Sequence, residues 1–307
     1  MTVQNDEFAL PFEIERTGLR GRLVRLGPAA DLILKRHAYP PVISRLLGEA
    51  LALTSCLAST VKFEGGVFTL QARGSAGPVR TLVTDITSDG ELRGYVGFDA
   101  DSIETIDDNA SIARLFGGGH IAFTVDPGEE FDRYQGIVEL QGESLAESVH
   151  HYFRQSEQIA TALKIGCGQD SAGHWRATAL MVQKLPDEVQ LRHPPEDVAD
   201  MIEADEGFRR AAILLGSATI PEMIAPEISA EEMLLRLFHE DGVRVYEKRV
   251  IESGCRCKLD RVETVLRQFG RERMEEFKVD GIVTVTCEFC TKERTFDDEA
   301  LDAICSD

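Results

Sequence analysis

Four cysteines near the C-terminus constrain this chain more than any other feature. They stand as Cys255-Arg256-Cys257 and, after twenty-nine intervening residues, Cys287-Glu288-Phe289-Cys290. Two close thiol pairs brought together by one intervening fold supply the sulfurs of a tetrahedral zinc site. Most zinc ribbons use two Cys-x-x-Cys knuckles, whereas a single residue separates the first pair here. Thiols that close also pair with each other once the metal leaves, so the quartet reads as a metal site that doubles as a two-disulfide switch. Four cysteines allow three pairings, and the spacing leaves all three open. An iron–sulfur cluster uses the same ligand type. Catalytic zinc keeps an open coordination position, so a closed four-sulfur site reads as structural or regulatory.

The surrounding module, 251–307, is built for such a site. Asp260 is placed to cap a helix through Val262, Val265, Leu266 and Phe269 that Gly270 closes. Asp280-Gly281 leads into a strand Ile282–Thr286, the Cys-x-x-Cys occupies the next turn, and Lys292–Phe296 returns as the second hairpin strand. About fifty residues is near the size below which an apolar core alone is marginal. Structural zinc contributes roughly 10–16 kcal/mol of apparent folding free energy in small fingers, against a whole-domain stability of about 5–15 kcal/mol. Metal removal is therefore expected to unfold this module, and oxidation, which removes the thiolates, to do the same.

Upstream, the pattern predicts an α+β fold: a β-rich N-terminal core with packed helices over 1–186, a helical, conditionally ordered linker over 187–250, and the small zinc-binding α+β module. Val42, Leu46, Ala50, Leu53, Leu57 and Val61 recur at helical steps, giving a helix over Pro41–Val61. Alternation then predicts strands around Phe68–Ala72, Val79–Ile86, Leu92–Phe98, His120–Val125, Tyr134–Leu140 and Trp175–Lys184. Ser144 with Glu147, and Ser229 with Glu232, have the spacing of capping boxes. The linker carries fifteen acids, seven bases and prolines at 194, 195, 221 and 226. It is too apolar for a free tether and too broken for an independent bundle. Its Leu234, Leu235, Leu237 and Phe238 are candidate client contacts, although a helix face packed on the core would show the same period.

Net charge narrows the partners. At −20 the chain lacks the positive footprint with which nucleic-acid binders displace counterions. No run of eighteen apolar residues suggests a membrane span, and Met1–Phe12 has no signal-peptide layout. The expectation is a cytoplasmic protein without nucleic-acid or membrane partners, in a compartment where clustered cysteines are metal ligands or redox sensors. Cys56 reads as a buried small hydrophobe, Cys167 between two glycines as an exposed thiol, and Cys305 as a spare ligand or stray disulfide partner. Enzyme signals are poor. There is no phosphate loop or nucleophile elbow, and the seven histidines show no two-His-plus-carboxylate spacing.

With these residues in view, the chain resembles the heat shock protein 33 family of bacterial redox-regulated holdase chaperones nearly end to end. The quartet carries the resemblance, preceded by Leu235-Arg236-Leu237-Phe238-His239-Glu240. Arg36–Pro40, Leu57–Gly65, Gly77-Pro78-Val79, Leu92–Tyr95 and Arg133–Gly136 support it. The resemblance implies one zinc ion held by Cys255, Cys257, Cys287 and Cys290 in a reduced, inactive form. It also implies Cys255–Cys257 and Cys287–Cys290 disulfides on oxidation, zinc release, linker unfolding, a homodimer, and ATP-independent binding of unfolding client proteins. Cys305 and the linker prolines depart from the family pattern. Two other readings remain: a constitutive zinc-ribbon protein that binds nucleic acid or the ribosome, and a thiol oxidoreductase.

Overall fold

The computed structural model describes residues 6–128, 133–184 and 198–306. The expected core–linker boundary at 186/187, Pro194 and Pro195 lie outside them. The chain forms two compact units, Met1–Ser253 and Gly254–Asp307, in an α+β arrangement.

In chain order the larger unit runs β1 (Glu7–Ile14), β2 (Leu19–Leu26), α1 (Pro28–His37), α2 (Pro41–Ala58), β3 (Val67–Gly74), β4 (Val79–Thr87), β5 (Glu91–Phe98), α3 (Ala100–Ile103) and α4 (Ile112–Phe116). It continues with β6 (Gly119–Asp126), β7 (Tyr134–Glu139), α5 (Leu145–Tyr152), a π turn (Phe153–Glu157), β8 (Ala160–Gln169), β9 (Trp175–Lys184), α6 (Val198–Ser217), α7 (Ile220–Ile224) and α8 (Ala230–Phe238). Three short strands close it: β10 (Val243–Val245), β11 (Arg249–Val250) and β12 (Glu252–Ser253).

Two six-stranded sheets result. One has the order β10-β1-β2-β9-β8 with β11 also on β1, and the other β12-β5-β4-β3-β6-β7. The apolar helix α2 packs against strands of both, and fifteen of its eighteen residues are buried. By length and composition α2 could cross a bilayer, yet 83% of it lies inside the protein. It ends at Ala58, three residues short of the expected Val61. Ser59 and Thr60 turn their hydroxyls back to the carbonyls of Cys56 and Leu57, and such local bonds compete with further helix.

β1 and β2 carry apolar residues on both faces. Phe8, Leu10, Phe12 and Ile14 meet α6 and α8 through Leu215, Leu234 and Phe238. Ala9, Val24 and Leu26 face the α2 side. Phe12 stacks on Phe238 with ring centroids 6.0 Å apart. Opposite Phe12 in the ladder stands Gly21, where a Cβ would fall 2.0 Å from the ring. The segment 206–253 is thus part of the larger unit's core. A single strap of chain finishes it: β11 pairs antiparallel with β1 and β12 parallel with β5, so 249–253 joins both sheets.

The capping expectations need correction. Ser144 accepts the Glu147 N–H, but the Glu147 carboxylate takes the Glu143 N–H instead of closing the box. Gly142, at φ +82, allows this, because a Cβ there would meet that carboxylate. Ser229 caps Glu232, whose carboxylate goes to Arg236 one turn on. The complete box is Thr219 with Glu222, at the start of α7.

The smaller unit contains α9 (Leu259–Phe269), α10 (Arg271–Met274), a 3-10 turn (Glu275–Phe277), β13 (Lys278–Val279), β14 (Ile282–Thr286), β15 (Glu293–Phe296) and α11 (Asp298–Ser306). The three strands form one antiparallel sheet. α9 begins after Lys258 with no side-chain cap, so Asp260 sits in its first turn and does not cap it. Gly270 closes the helix, as the spacing predicts.

Candidate metal centre

The first thiol pair lies just before α9 and the second follows β14, where the chain reverses toward β15. The reversal is a backbone-bonded knuckle. The Cys287 N–H donates to the Lys292 carbonyl at 3.1 Å, and the Thr291 N–H donates to the Cys287 carbonyl at 2.8 Å. Thr291 takes the left-handed conformation at φ 57 that the turn requires. Arg294, on the returning strand, donates to the Cys257 carbonyl at 2.9 Å and so ties the first pair to the hairpin.

All four sulfurs lie within 4.8 Å of one another. Cys255 Sγ is 3.7 Å from Cys287 Sγ, and Cys257 Sγ is 3.4 Å from Cys290 Sγ. A tetrahedron with zinc–sulfur bonds of about 2.3 Å has edges of about 3.8 Å, so the donor set fits that ion. The shortest approaches cross between the two pairs, and that geometry selects no disulfide pairing. Burial pushes the Cys290 thiol up to about 12 and raises Cys257 as well, with Cys255 and Cys287 adding to both. Cys257 and Cys290 therefore resist becoming anions on their own. A divalent cation among them reverses the balance, since a coordinating thiol loses its proton.

Very little else holds this unit together. Its buried apolar set among the described residues is Leu266, Met274, Val283, Phe296, Leu301 and Ile304. Phe277 is 58% exposed and Val279 73%. Arg271 binds Glu275, Asp298 and Asp302, and Lys278 shares two of those acids. The three acids are exposed, and each such pair contributes little on its own.

The other cysteines stand apart. Cys305 packs against the unit's apolar cluster, outside the quartet. Cys56 is fully buried, its thiol pushed up to about 12 by burial. Cys167, expected at the surface, is 5% exposed and its thiol is raised strongly by desolvation. The flanking glycines serve packing. A Cβ on Gly166 would strike Ile220 of α7, and one on Gly168 would crowd Ile224.

Of the candidate client contacts, Leu234 and Phe238 are completely buried, Leu237 is partly buried and Leu235 is exposed. The period belongs to a face packed on β1. Sequence reasoning missed what pins this face: Arg25 of β2 donates to the Ala225 and Ile228 carbonyls between α7 and α8. Arg25 also lies 3.4 Å from Asp6, itself paired with Arg176, all three buried. The signal was present, since Arg25 falls in the phase of Leu19, Gly21 and Leu23, where an apolar side chain belongs.

Comparison with known proteins agrees with this architecture. The Hsp33 protein family model matches residues 8–297. A 33 kDa chaperonin of Caulobacter vibrioides is 37% identical over 294 residues, covering 94% of this chain and 93% of its own length. The 33 kDa chaperonin of Nitrosococcus oceani is 36% identical over 287 residues, covering 93% and 90%. The crystal structure of the Thermotoga maritima 33 kDa chaperonin, a heat shock protein 33 homolog, aligns with a TM-score of 0.78 over 98% of both chains at 23% identity. That likeness speaks for the fold, and the sequence matches settle the lineage. This chain belongs to the Hsp33 family of chaperones.

Proposed function

We propose that this protein is a redox-regulated, ATP-independent holdase that acts on unfolding proteins during oxidative stress, in the cytoplasm. One observation carries the reading: four sulfurs drawn within 4.8 Å in a unit with a very small apolar core. Cys255, Cys257, Cys287 and Cys290 would hold one zinc ion, which when bound supplies the positive charge that keeps four half-buried thiolates together. The ion adds cross-links where the core cannot.

Activation is a thiol oxidation. Within each pair one sulfur attacks the other after oxidation by a peroxide: two thiols lose two protons and two electrons, one sulfur–sulfur bond forms, and one hydrogen peroxide becomes two waters. The Cys255–Cys257 and Cys287–Cys290 pairing is the one that the resemblance to the Hsp33 family implies. Two disulfides leave no thiolate donors, and the small unit then lacks its cross-link. The three domains of the proposal are a core over 1–186, a linker over 187–250 whose face on β1 becomes available, and the switch over 251–307. Leu234, Leu235, Leu237 and Phe238 would contact clients only after that face lifts, together with Phe8, Leu10 and Phe12 beneath it. The same apolar surface is suited to a homodimer in the oxidised state. The charge of −20 keeps such a surface soluble and disfavours nucleic acid.

The test incubates a heat-unfolding client with reduced, zinc-loaded protein and with peroxide-treated protein while following light scattering, zinc release and thiol number. Suppression by the oxidised form alone, with one zinc and four thiols lost per chain, is the expected result. Equal suppression by both forms would remove the switch.

A further inference from the structure

The larger unit contains a second feature that the redox reading does not use. A cavity of about 330 Å³ opens between the two sheets, beside the C-terminal end of α2. β2 and β9 form one wall, β3, β6 and β7 the other, and the π turn closes one end. Its surface is mainly apolar, with Leu57, Phe68, Phe123, Phe153, Ile159 and Met181 lining the interior. Ligand sites typically combine such a lining with a few convergent polar groups, and an inter-sheet position suits one.

Both ends carry those polar groups. Beside the π turn Tyr134 and Tyr152 both donate to Glu157, the former at 2.7 Å, and their hydroxyls lie 3.1 Å apart. The site has been given room for this: a Cβ on Gly136 would lie 2.5 Å from the Tyr152 hydroxyl. Glu157 ends the π turn, and Gln158 follows in the left-handed conformation at φ 55. A π turn leading into a left-handed non-glycine residue is an uncommon backbone path, of a kind often found at functional sites. Its effect is to satisfy the one carboxylate on the cavity with two phenols.

The open end is positive. Arg20 and Arg22 alternate along β2 onto the cavity, beside Gln183. Arg22 spends two donors on the carbonyls of Ser59 and Gly21. Burial depresses its basicity, and both Arg249 and Arg20 repel it further. Arg20 has no hydrogen bond or ion pair among the described residues, in a chain of net charge −20. Two guanidiniums lining an apolar cavity whose carboxylate is already engaged form an anion site with a hydrocarbon-lined interior.

We infer that this cavity binds a small amphipathic carboxylate, with its headgroup at Arg20 and Arg22 and its hydrocarbon chain between the sheets. The volume is about eleven waters at about 30 Å³ each, which suits a chain of about ten carbons. The site is independent of the zinc quartet and is loaded in the reduced protein.

The experiment titrates decanoate into reduced, zinc-loaded full-length protein carrying ¹³C-labelled methionine methyls, and follows Met181. 1-Decanol and decyltrimethylammonium provide the same tail with neutral and positive heads. The Met181 signal is expected to shift saturably with one decanoate per chain, and decyltrimethylammonium to bind far more weakly. The cation is otherwise the better match for a chain of this charge, so that order reports a local positive site. Arg20→Gln, a change at an exposed side chain, should weaken decanoate about fivefold and leave 1-decanol unchanged. An unmoved Met181 signal overturns the proposal. So does equal binding of the cationic amphiphile, or an unchanged decanoate affinity in Arg20→Gln.

Discussion

The two units reach order by different means. In the larger, α2 fills the space between two six-stranded sheets, and α6–α8 cover the outer face of β1 and β2, so burial is extensive in every direction. In the smaller, six buried apolar side chains support three short strands and three helices, while Phe269, Phe277 and Val279 remain exposed. A domain with a full core tolerates the loss of one interaction. A fifty-residue unit with a sparse core depends on its cross-link. The difference teaches that sensitivity to metal and oxidant need not spread through the whole protein. It can originate in the part whose stability rests on four sulfurs and reach no further than the linker cover.

The sharpest way to break this comparison is to remove the metal alone. Chelation under reducing conditions should abolish hydrogen-exchange protection throughout 254–306, a loss on the order of 10 kcal/mol in apparent folding free energy. Protection of α2 and β9 should persist. Protection retained in β14 and β15 would show that the small core suffices. A second, smaller effect lies in the larger unit, at the place where its helical cover is pinned. Arg25→Met leaves Asp6 with one guanidinium fewer and two carbonyls without their donor. Breaking such a buried group costs about 3–5 kcal/mol, and exchange in α7 and α8 should rise well above that in α2. Arg244→Ala, which removes an exposed pair with Glu15, should cost under about 1 kcal/mol by the same measurement. Equal costs for the two would mean that the cover is not held at Arg25.

A further effect is one of pH. Burial pushes the Glu7 carboxyl up to about 7, against the opposing pull of the Ala29 and Gly27 N–H groups and Arg176, with Asp6 adding to the rise. Both N–H groups donate to one oxygen, Oε1, while Oε2 is buried without a partner. Because the folded form holds its proton more tightly than the unfolded chain, this group favours folding fully below about pH 4.5. That contribution is lost as the pH rises toward 7, at most about 3 kcal/mol. Glu7→Gln keeps the acceptor and places an amide at the orphaned position. Urea unfolding of the variant should lose this part of the pH dependence and give a stability at pH 8 at or above that of the parent. An unchanged slope between pH 5 and 8 would assign the dependence elsewhere.

The parts that could be read in the sequence were those whose chemistry is local. Cys287 and Cys290 sit between a strand and its return, and spacing alone places both on a knuckle. β3 alternates because one face of it is buried, so Phe68, Leu70 and Ala72 stand out from Thr69 and Gln71. β1 and β2 were not legible for the opposite reason: both faces meet apolar neighbours, and a double-sided strand has no alternation to detect. Gly166 and Gly168 suggested exposure of Cys167 because glycine marks loops. Here they clear space for two isoleucines from fifty residues away in sequence, a tertiary demand invisible in the local pattern. The linker face showed a true helical period, but period alone does not distinguish a surface that waits for clients from one already packed on Phe12.

The strap at 249–253 has a consequence of its own. Val250 faces Phe8 in one ladder and Glu252 faces Glu91 in the other, and between them Ile251 is 2% exposed. Side chains alternate in such a stitch, so inserting a single residue between Val250 and Glu252 would turn Ile251 outward or slide one ladder by a step. The seam therefore fixes a length more strictly than it fixes side chains: point changes at Arg249 or Ser253 can be absorbed, whereas an added or deleted residue would unpick both sheets at once.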